Sequence, residues 1–204
     1  MSYEWLNGEH CDSHGYLLPA LLREADLIGV VGRAFDLGCG NGSIARAMQA
    51  KGWKVSGVDP SLDGVMFAKD NDPYIDLHVG SAYDDLRTKF GTFHLVYSLE
   101  VVEHLYAPRD YAKTLVSLMQ DDGVAIVSTP YHGYWKNLVM ALTGRMDSHF
   151  TALWDDGHIK FWSIRTLTQL FAEVGLDVIR INRIGRVPAL AKSMILVLKK
   201  KNNT

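Results

Sequence analysis

The stretch FDLGCGNGSIARAM, residues 35–48, limits what this chain can fold into more than any other. An apolar run ends at Leu37, Gly38, Gly40 and Gly42 fill the turn, and helix-spaced residues begin at Ser43. Glycine permits positive φ and lets a ligand come close to the backbone. The N–H groups that open the following helix attract a carboxylate or phosphate. Asp59 ends the next apolar run, about 20 residues on, where an acid hydrogen-bonds ribose hydroxyls. Loop and acid together suit a nucleoside bound at the switch point of an open sheet.

The rest of the chain repeats the alternation. HGYLLPALLREADLIGVV (14–31) reads as an opening helix and AFDL (34–37) as the first strand. Helix 43–52, strand 53–59, helix 60–70 and strand 74–80 follow, then strand 93–99, helix 108–123 and strand 124–130. Pro60 and Ser61 are residues found at helix starts. Segment 131–162 breaks the rhythm and is rich in tryptophan, histidine and tyrosine. After it come a helix, 163–175, capped by Ser163, and two strands, LDVIRINRIG and SMILVLKK. The pattern predicts an α/β chain with a mostly parallel sheet and helices on both faces. We assign one domain, 1–204, with the opening helix in 1–32 and 131–162 as a lid-like insertion after the fifth strand.

A chain of 204 residues, 48% hydrophobic and 22% charged, has the composition of one soluble domain. Its net charge of −2 gives no electrostatic case for nucleic acid or anionic membrane. Two cysteines, Cys11 and Cys39, are too few for a disulfide framework. The opening MSYEWLNGEHCDSHG is polar and unlike a secretory leader. No apolar run approaches membrane-spanning length. We read a reduced, cytoplasmic protein, with loose peripheral membrane contact left open; nothing in the sequence sets the oligomeric state.

The dinucleotide fingerprint is G-x-G-x-x-G, whereas this loop reads G-x-G-x-G, with Ser43 at the last glycine's place. Asp36 stands two residues before the first glycine. A carboxylate there repels a pyrophosphate but suits an ammonium, which argues against a nicotinamide-dependent oxidoreductase. The segments FDLGCGNG, GVDPS, GSAYDDL, FHLVYSLEVVEHL and GVAIVSTP, in this order, resemble class I S-adenosylmethionine-dependent methyltransferases. The resemblance implies a Rossmann-like, doubly wound, seven-stranded sheet with an antiparallel last strand, and S-adenosyl-L-methionine as cofactor. It places Asp36, Gly38 and Gly40 around the methionine part and Asp59 on the ribose. Pro60, Ser61, Ser81 and Ala82 fall beside the adenine and Leu99 beside the methionine. Position 81 departs from the family, which often has an acid there.

SLEVVEHLYAPRD (98–110) follows a buried strand with Glu100, Glu103 and His104 at i, i+3 and i+4. One helical turn puts these on one face, where two carboxylates and an imidazole can bind a divalent cation. E-x-x-E-H resembles both ubiquinone-biosynthesis O-methyltransferases and small-RNA 3′-terminal ribose methyltransferases. That likeness implies a cation such as magnesium on Glu100, Glu103, His104 and His158. A bound cation lowers the pKa of a coordinated hydroxyl. In the plainer reading the glutamates are structural, Glu103 pairs with Arg109, and His104 is the catalytic base.

Segment 131–162 reads either as a lid over an apolar acceptor pocket or as a satellite core built on Trp135, Phe150 and Trp154. Tyr131, His132, His149 and His158 are more polar than a core patch needs. Met140, Leu142 and Trp154 suit a lipophilic, isoprenoid-like acceptor. His14 and Tyr16 can close over the methionine end. The leading expectation is O-methylation of a small molecule. The alternatives are a non-catalytic cofactor-binding module and an RNA ribose methyltransferase, the latter with little support from the net charge.

Overall fold

A computed structural model describes residues 13–150, 152–155 and 157–201. Cys11 and the polar opening 1–12 lie outside the described residues; Cys39 is a buried free thiol. Seven strands, β1 (Arg33–Leu37), β2 (Lys54–Asp59), β3 (Asp76–Val79), β4 (Phe93–Leu99), β5 (Met119–Pro130), β6 (Leu176–Ile184) and β7 (Ser193–Lys200), form one sheet ordered 3-2-1-4-5-7-6. Neighbours from β3 through β5 are parallel, and β7 runs antiparallel between β5 and β6, as expected. The reversal of strand order between β1 and β4 leaves a crevice at their C-terminal ends, where open α/β sheets bind ligands.

Central strands covered on both faces need continuous apolar runs. β1 and β4 meet this with Ala34, Phe35, Leu95, Val96 and Tyr97, all fully buried. One side of the sheet packs on α5 (Pro108–Leu118) and α8 (Ile164–Ala172) through Tyr111, Leu115, Leu167 and Phe171. The other packs on α1 (His14–Asp26), α2 (Ser43–Gln49) and α3 (Leu62–Asn71) through Leu21, Met48 and Ala68. Each large buried side chain contributes roughly 1.5–3 kcal/mol. Caps fix the helix starts: Gly64 N–H donates to Ser61 Oγ at 3.1 Å, and Ser163 forms a reciprocal capping box with Thr166.

Several boundaries differ from expectation. Helix α1 stops at Asp26 rather than 31, and Gly29 turns the chain at φ +75°. Helix α5 ends at Leu118 because buried Met119 already pairs with Phe93 of β4, so β5 starts five residues before Val124. A short helix α4 (Leu86–Phe90), capped by Asp85, was not expected. Within the insertion, α6 (Tyr134–Leu142) and α7 (Met146–Phe150) follow one another. No described helix is long and apolar enough to cross a membrane.

Candidate active site

At the C-terminal ends of β1, β2 and β4 lies a cavity of about 840 Å³. On one side its wall includes Asp36, Gly38, Asp59, Pro60, Ser81 and Ala82; on the other, Leu99, Glu100, His104 and His158. The chain therefore brings nearly every expected site residue to one chamber.

The glycine loop is organised differently from the expectation of open donors. Gly38 and Cys39 give their N–H groups to the Val58 carbonyl, at 2.9 and 3.0 Å, and Ser43 N–H donates to Asn41 Oδ1 at 3.2 Å. Gly40 and Ser61 N–H groups both donate to the Asp59 carboxylate, each at 2.8 Å. The Asp59 carboxylate is thus fixed by the loop, with lone pairs left over. Gly40 acts through this bond rather than by lining the chamber. Gly38 is required for space: at φ +97°, a Cβ would sit 2.3 Å from Val101 Cγ2. Asp36 is 3% exposed, and its Oδ2 has no hydrogen-bond partner. Burial pushes its carboxyl up to about 8, and the neighbouring Asp59 adds to the effect. A buried carboxyl with one oxygen left open beside a chamber suits a cationic ligand group. Helix α1 closes this end: Ser13, His14 and Leu17 reach the wall, and His14 Nδ1 lies 3.0 Å from Ser43 Oγ.

The acidic–histidine segment departs from a single helical turn. Glu100 has φ +55°, the one non-glycine with positive φ among the described residues, and only Val102–His104 form a tight 3-10 turn. Glu100 consequently turns away from Glu103. Ser128 Oγ donates to its Oε1 at 2.7 Å and Ser193 Oγ to its Oε2 at 3.2 Å; Tyr16 Oη lies 3.3 Å from Ser193 Oγ. Tyr16 therefore supports Glu100 rather than the methionine end. Glu103, 1% exposed, accepts from Thr129 Oγ1 at 2.9 Å through Oε2, while Oε1 is unpartnered and 4.0 Å from His158 Nε2. Burial raises both carboxyls, and for Glu103 the charge of Glu100 adds to the rise.

Glu103 does not pair with Arg109, which instead forms an exposed fork with Glu173 at 2.6 and 3.2 Å. His158 is brought in by the backbone: Ile159 and Lys160 N–H groups both donate to the Glu103 carbonyl at 2.9 Å. Burial drives its imidazole down to about 4, so it is neutral at pH 7. Its ring centroid is 4.9 Å from that of His104. One candidate ligand atom each from Glu103, His104 and His158 lies within 4.8 Å of the other two. Glu100 is not part of this group, which corrects the expected set of four. Ser128, Thr129 and Ser193, which hold the glutamates, were missed; hydroxyls at the ends of buried strands facing an acidic loop were the available signal.

A family model for a methyltransferase domain matches residues 10–181. The chain belongs to the methyltransferase-domain family. Its methyl donor is accordingly S-adenosylmethionine, the cofactor that the resemblance of its five segments implies. The methyltransferase is 28% identical over 121 residues to a ubiquinone biosynthesis O-methyltransferase of Bradyrhizobium diazoefficiens, covering 55% of this chain and 45% of that relative. A relative of the same name from Aromatoleum aromaticum is 25% identical over 159 residues, 76% of this chain and 67% of the relative. The methyltransferase thus aligns with about half the length of the first of these. In fold it resembles the magnesium protoporphyrin IX methyltransferase of Synechocystis, solved with bound S-adenosylhomocysteine. The TM-score is 0.64 at 17% identity, over 91% of this chain and 80% of that one.

Proposed function

We propose that this methyltransferase moves the methyl group of S-adenosylmethionine onto a hydroxyl of a small, largely apolar molecule. The observation that carries this reading is that His104 lines the same chamber as Asp36 and Asp59. Asp36 then takes the donor's ammonium and Asp59 its ribose, with Pro60, Ser81 and Ala82 along the adenine. The sulfonium methyl faces the segment after β4. The acceptor oxygen attacks the methyl carbon as the carbon–sulfur bond breaks, leaving S-adenosylhomocysteine, and the hydroxyl proton passes to His104. Holding the reactants in line supplies much of the rate. Trp154 and Phe150, also in the wall, give the acceptor an apolar surface and help exclude water. The ubiquinone-related relatives, which carry O-methyltransferase in their names, support a hydroxyl as acceptor.

The unpartnered Glu103 Oε1 and the neutral imidazole of His158 fit a divalent cation. With an ion present, Glu103, His104 and His158 would hold it, and its lowering of the pKa of a hydroxyl beside it would replace His104 as the base. Two imidazoles and one carboxylate suit a transition ion better than magnesium.

The test incubates the protein with S-adenosylmethionine and a panel of catechols, phenols and amines, with and without chelator, and measures S-adenosylhomocysteine. Product from hydroxyl acceptors that the His104→Ala variant fails to make supports the reading. Product only from amine acceptors, or none at all, contradicts it.

A further inference from the structure

The turn after β3, GSAYDDL (80–86), is held in one shape by its own polar groups. Gly80 N–H donates to the Asp59 carbonyl at 3.0 Å, Ser81 N–H to Asp84 Oδ2 at 2.8 Å, and Tyr83 N–H to Ser81 Oγ at 3.2 Å. Short polar side chains that bond backbone two or three residues away make rigid turns of this kind. Asp85 then caps α4, accepting from Thr88 N–H at 3.3 Å. The turn thus stands on the end of β2, beside the acid assigned to the ribose. Ser81, Ala82 and Tyr83 all reach the chamber wall.

Across the chamber runs the segment after β4, whose His104, Leu105 and Tyr106 line the same wall. From the acceptor side the insertion holds it: Trp162 Nε1 donates to the Val102 carbonyl at 3.3 Å, and Ile159 and Lys160 N–H groups donate to that of Glu103. Between His104 and α5 the backbone leaves helical geometry, with Leu105 extended and Ala107 at φ −111° and ψ 72°. Backbone outside a helix or ladder must find its hydrogen bonds elsewhere. Here Ala107 N–H, three residues past His104, donates to Tyr83 Oη at 3.1 Å. One phenol hydroxyl therefore bridges the donor-side turn and the segment that presents the imidazole.

We propose that Tyr83 is a positioning residue, whose hydroxyl ties the donor-side turn to the segment carrying His104 and so fixes the imidazole relative to the sulfonium methyl. The inference rests on the reading above, in which His104 takes the hydroxyl proton. Methyl transfer needs acceptor oxygen, methyl carbon and base in register, and small displacements cost much of the rate. The turn that bears Tyr83 is rigid and joined to the end of β2, so it can serve as the fixed side of the bridge. Phenylalanine at position 83 keeps the ring in the chamber wall and removes the hydrogen bond alone. Tyr83 is 42% exposed, so that change leaves the core untouched.

Steady-state kinetics of the wild type and Tyr83→Phe with catechol as acceptor, with calorimetry of S-adenosylhomocysteine on both, test this. The variant should lose about five- to tenfold in kcat, the scale of one hydrogen bond. KM for S-adenosylmethionine and affinity for S-adenosylhomocysteine should stay within about twofold of the wild type. An unchanged kcat, with or without a lower denaturation midpoint, would leave Tyr83 a structural role and overturns the proposal. Equal loss of kcat and S-adenosylhomocysteine affinity would make Tyr83 a donor contact and also overturns it. Amide hydrogen exchange with S-adenosylhomocysteine saturating needs no acceptor. The His104 and Tyr106 amides should exchange at least about fivefold faster in Tyr83→Phe, with those of β1 and β4 unchanged. Unchanged exchange at His104 and Tyr106 contradicts the proposal. Failure of hydroxyl methylation is separate: the wild type would then form no S-adenosylhomocysteine from catechol, while the exchange difference remained.

Discussion

On the cofactor side of the chamber, position is set by backbone: N–H groups of Gly38, Cys39, Gly40 and Ser61 are spent on Val58 and Asp59, and a missing Cβ at Gly38 makes room for Val101. On the acceptor side, position is set by side chains drawn from distant parts of the chain. Glu103 follows β4, Thr129 and Ser128 lie on β5, Ser193 opens β7, and His158 arrives at the end of the insertion. A loop fixed by main-chain bonds tolerates few substitutions, because glycine's conformation and space cannot be replaced. A cluster of buried titratable groups can be altered one member at a time, since each variant removes a charge or ligand without moving the backbone.

The largest effect should come from breaking the backbone side. Gly38→Ala forces a Cβ against Val101 at positive φ. It should cost about 2–4 kcal/mol of stability and abolish S-adenosylhomocysteine binding, read by chemical denaturation and calorimetry. On the acceptor side, His104→Ala should lower turnover by about 10²–10⁴-fold with cofactor affinity retained. Equal loss of both would show that the two sides are not independent.

The glutamates sharpen the contrast within the acceptor side. Glu103→Gln should abolish any difference that a chelator makes to turnover. Glu100→Gln, whose partners Ser128 and Ser193 can still bond an amide, should leave that difference in place. Matched responses of the two variants would restore the four-ligand set that the backbone at Glu100 argues against.

Asp36 links chemistry to stability. Its folded carboxyl titrates near 8, above the unfolded value, so the protonated form is favoured in the folded state. The stability it supports is complete below about pH 4 and is lost as pH rises through about 8. In thermal melts without cofactor, Asp36→Asn should therefore flatten the decline between those limits, and in calorimetry it should weaken binding of the cationic donor. An unchanged decline in the variant would show that the Asp36 carboxyl is not raised in the free protein. The smallest effect lies far from the chamber: Ser163→Ala removes the cap of α8 and should cost about 1 kcal/mol, with turnover unchanged.

The cofactor side was largely legible in the sequence because its signal is local. Glycines, Asp36 and Asp59 lie within one strand–helix–strand unit, so spacing alone brought them together. The sheet was legible for a related reason: continuous apolar runs mark strands buried on both faces. What escaped was non-local or conformational. The start of β5 at Met119 depends on pairing with Phe93, which helical periodicity over 108–123 concealed. Glu100, Glu103 and His104 have helix spacing, but a positive φ at Glu100 sends its side chain to Ser128 and Ser193. The His158–Glu103 contact spans the whole insertion and is made by backbone bonds that no motif records.

The central claim is that the donor lies across the tips of β1 and β2, held by Asp59. Titration calorimetry of S-adenosylhomocysteine into the wild type and into Asp59→Ala tests it most directly, with circular dichroism confirming that the variant is folded. The account predicts one molecule bound per wild-type chain and affinity reduced at least about tenfold in the variant. No heat of binding in the wild type, or equal affinity in a folded variant, would contradict it.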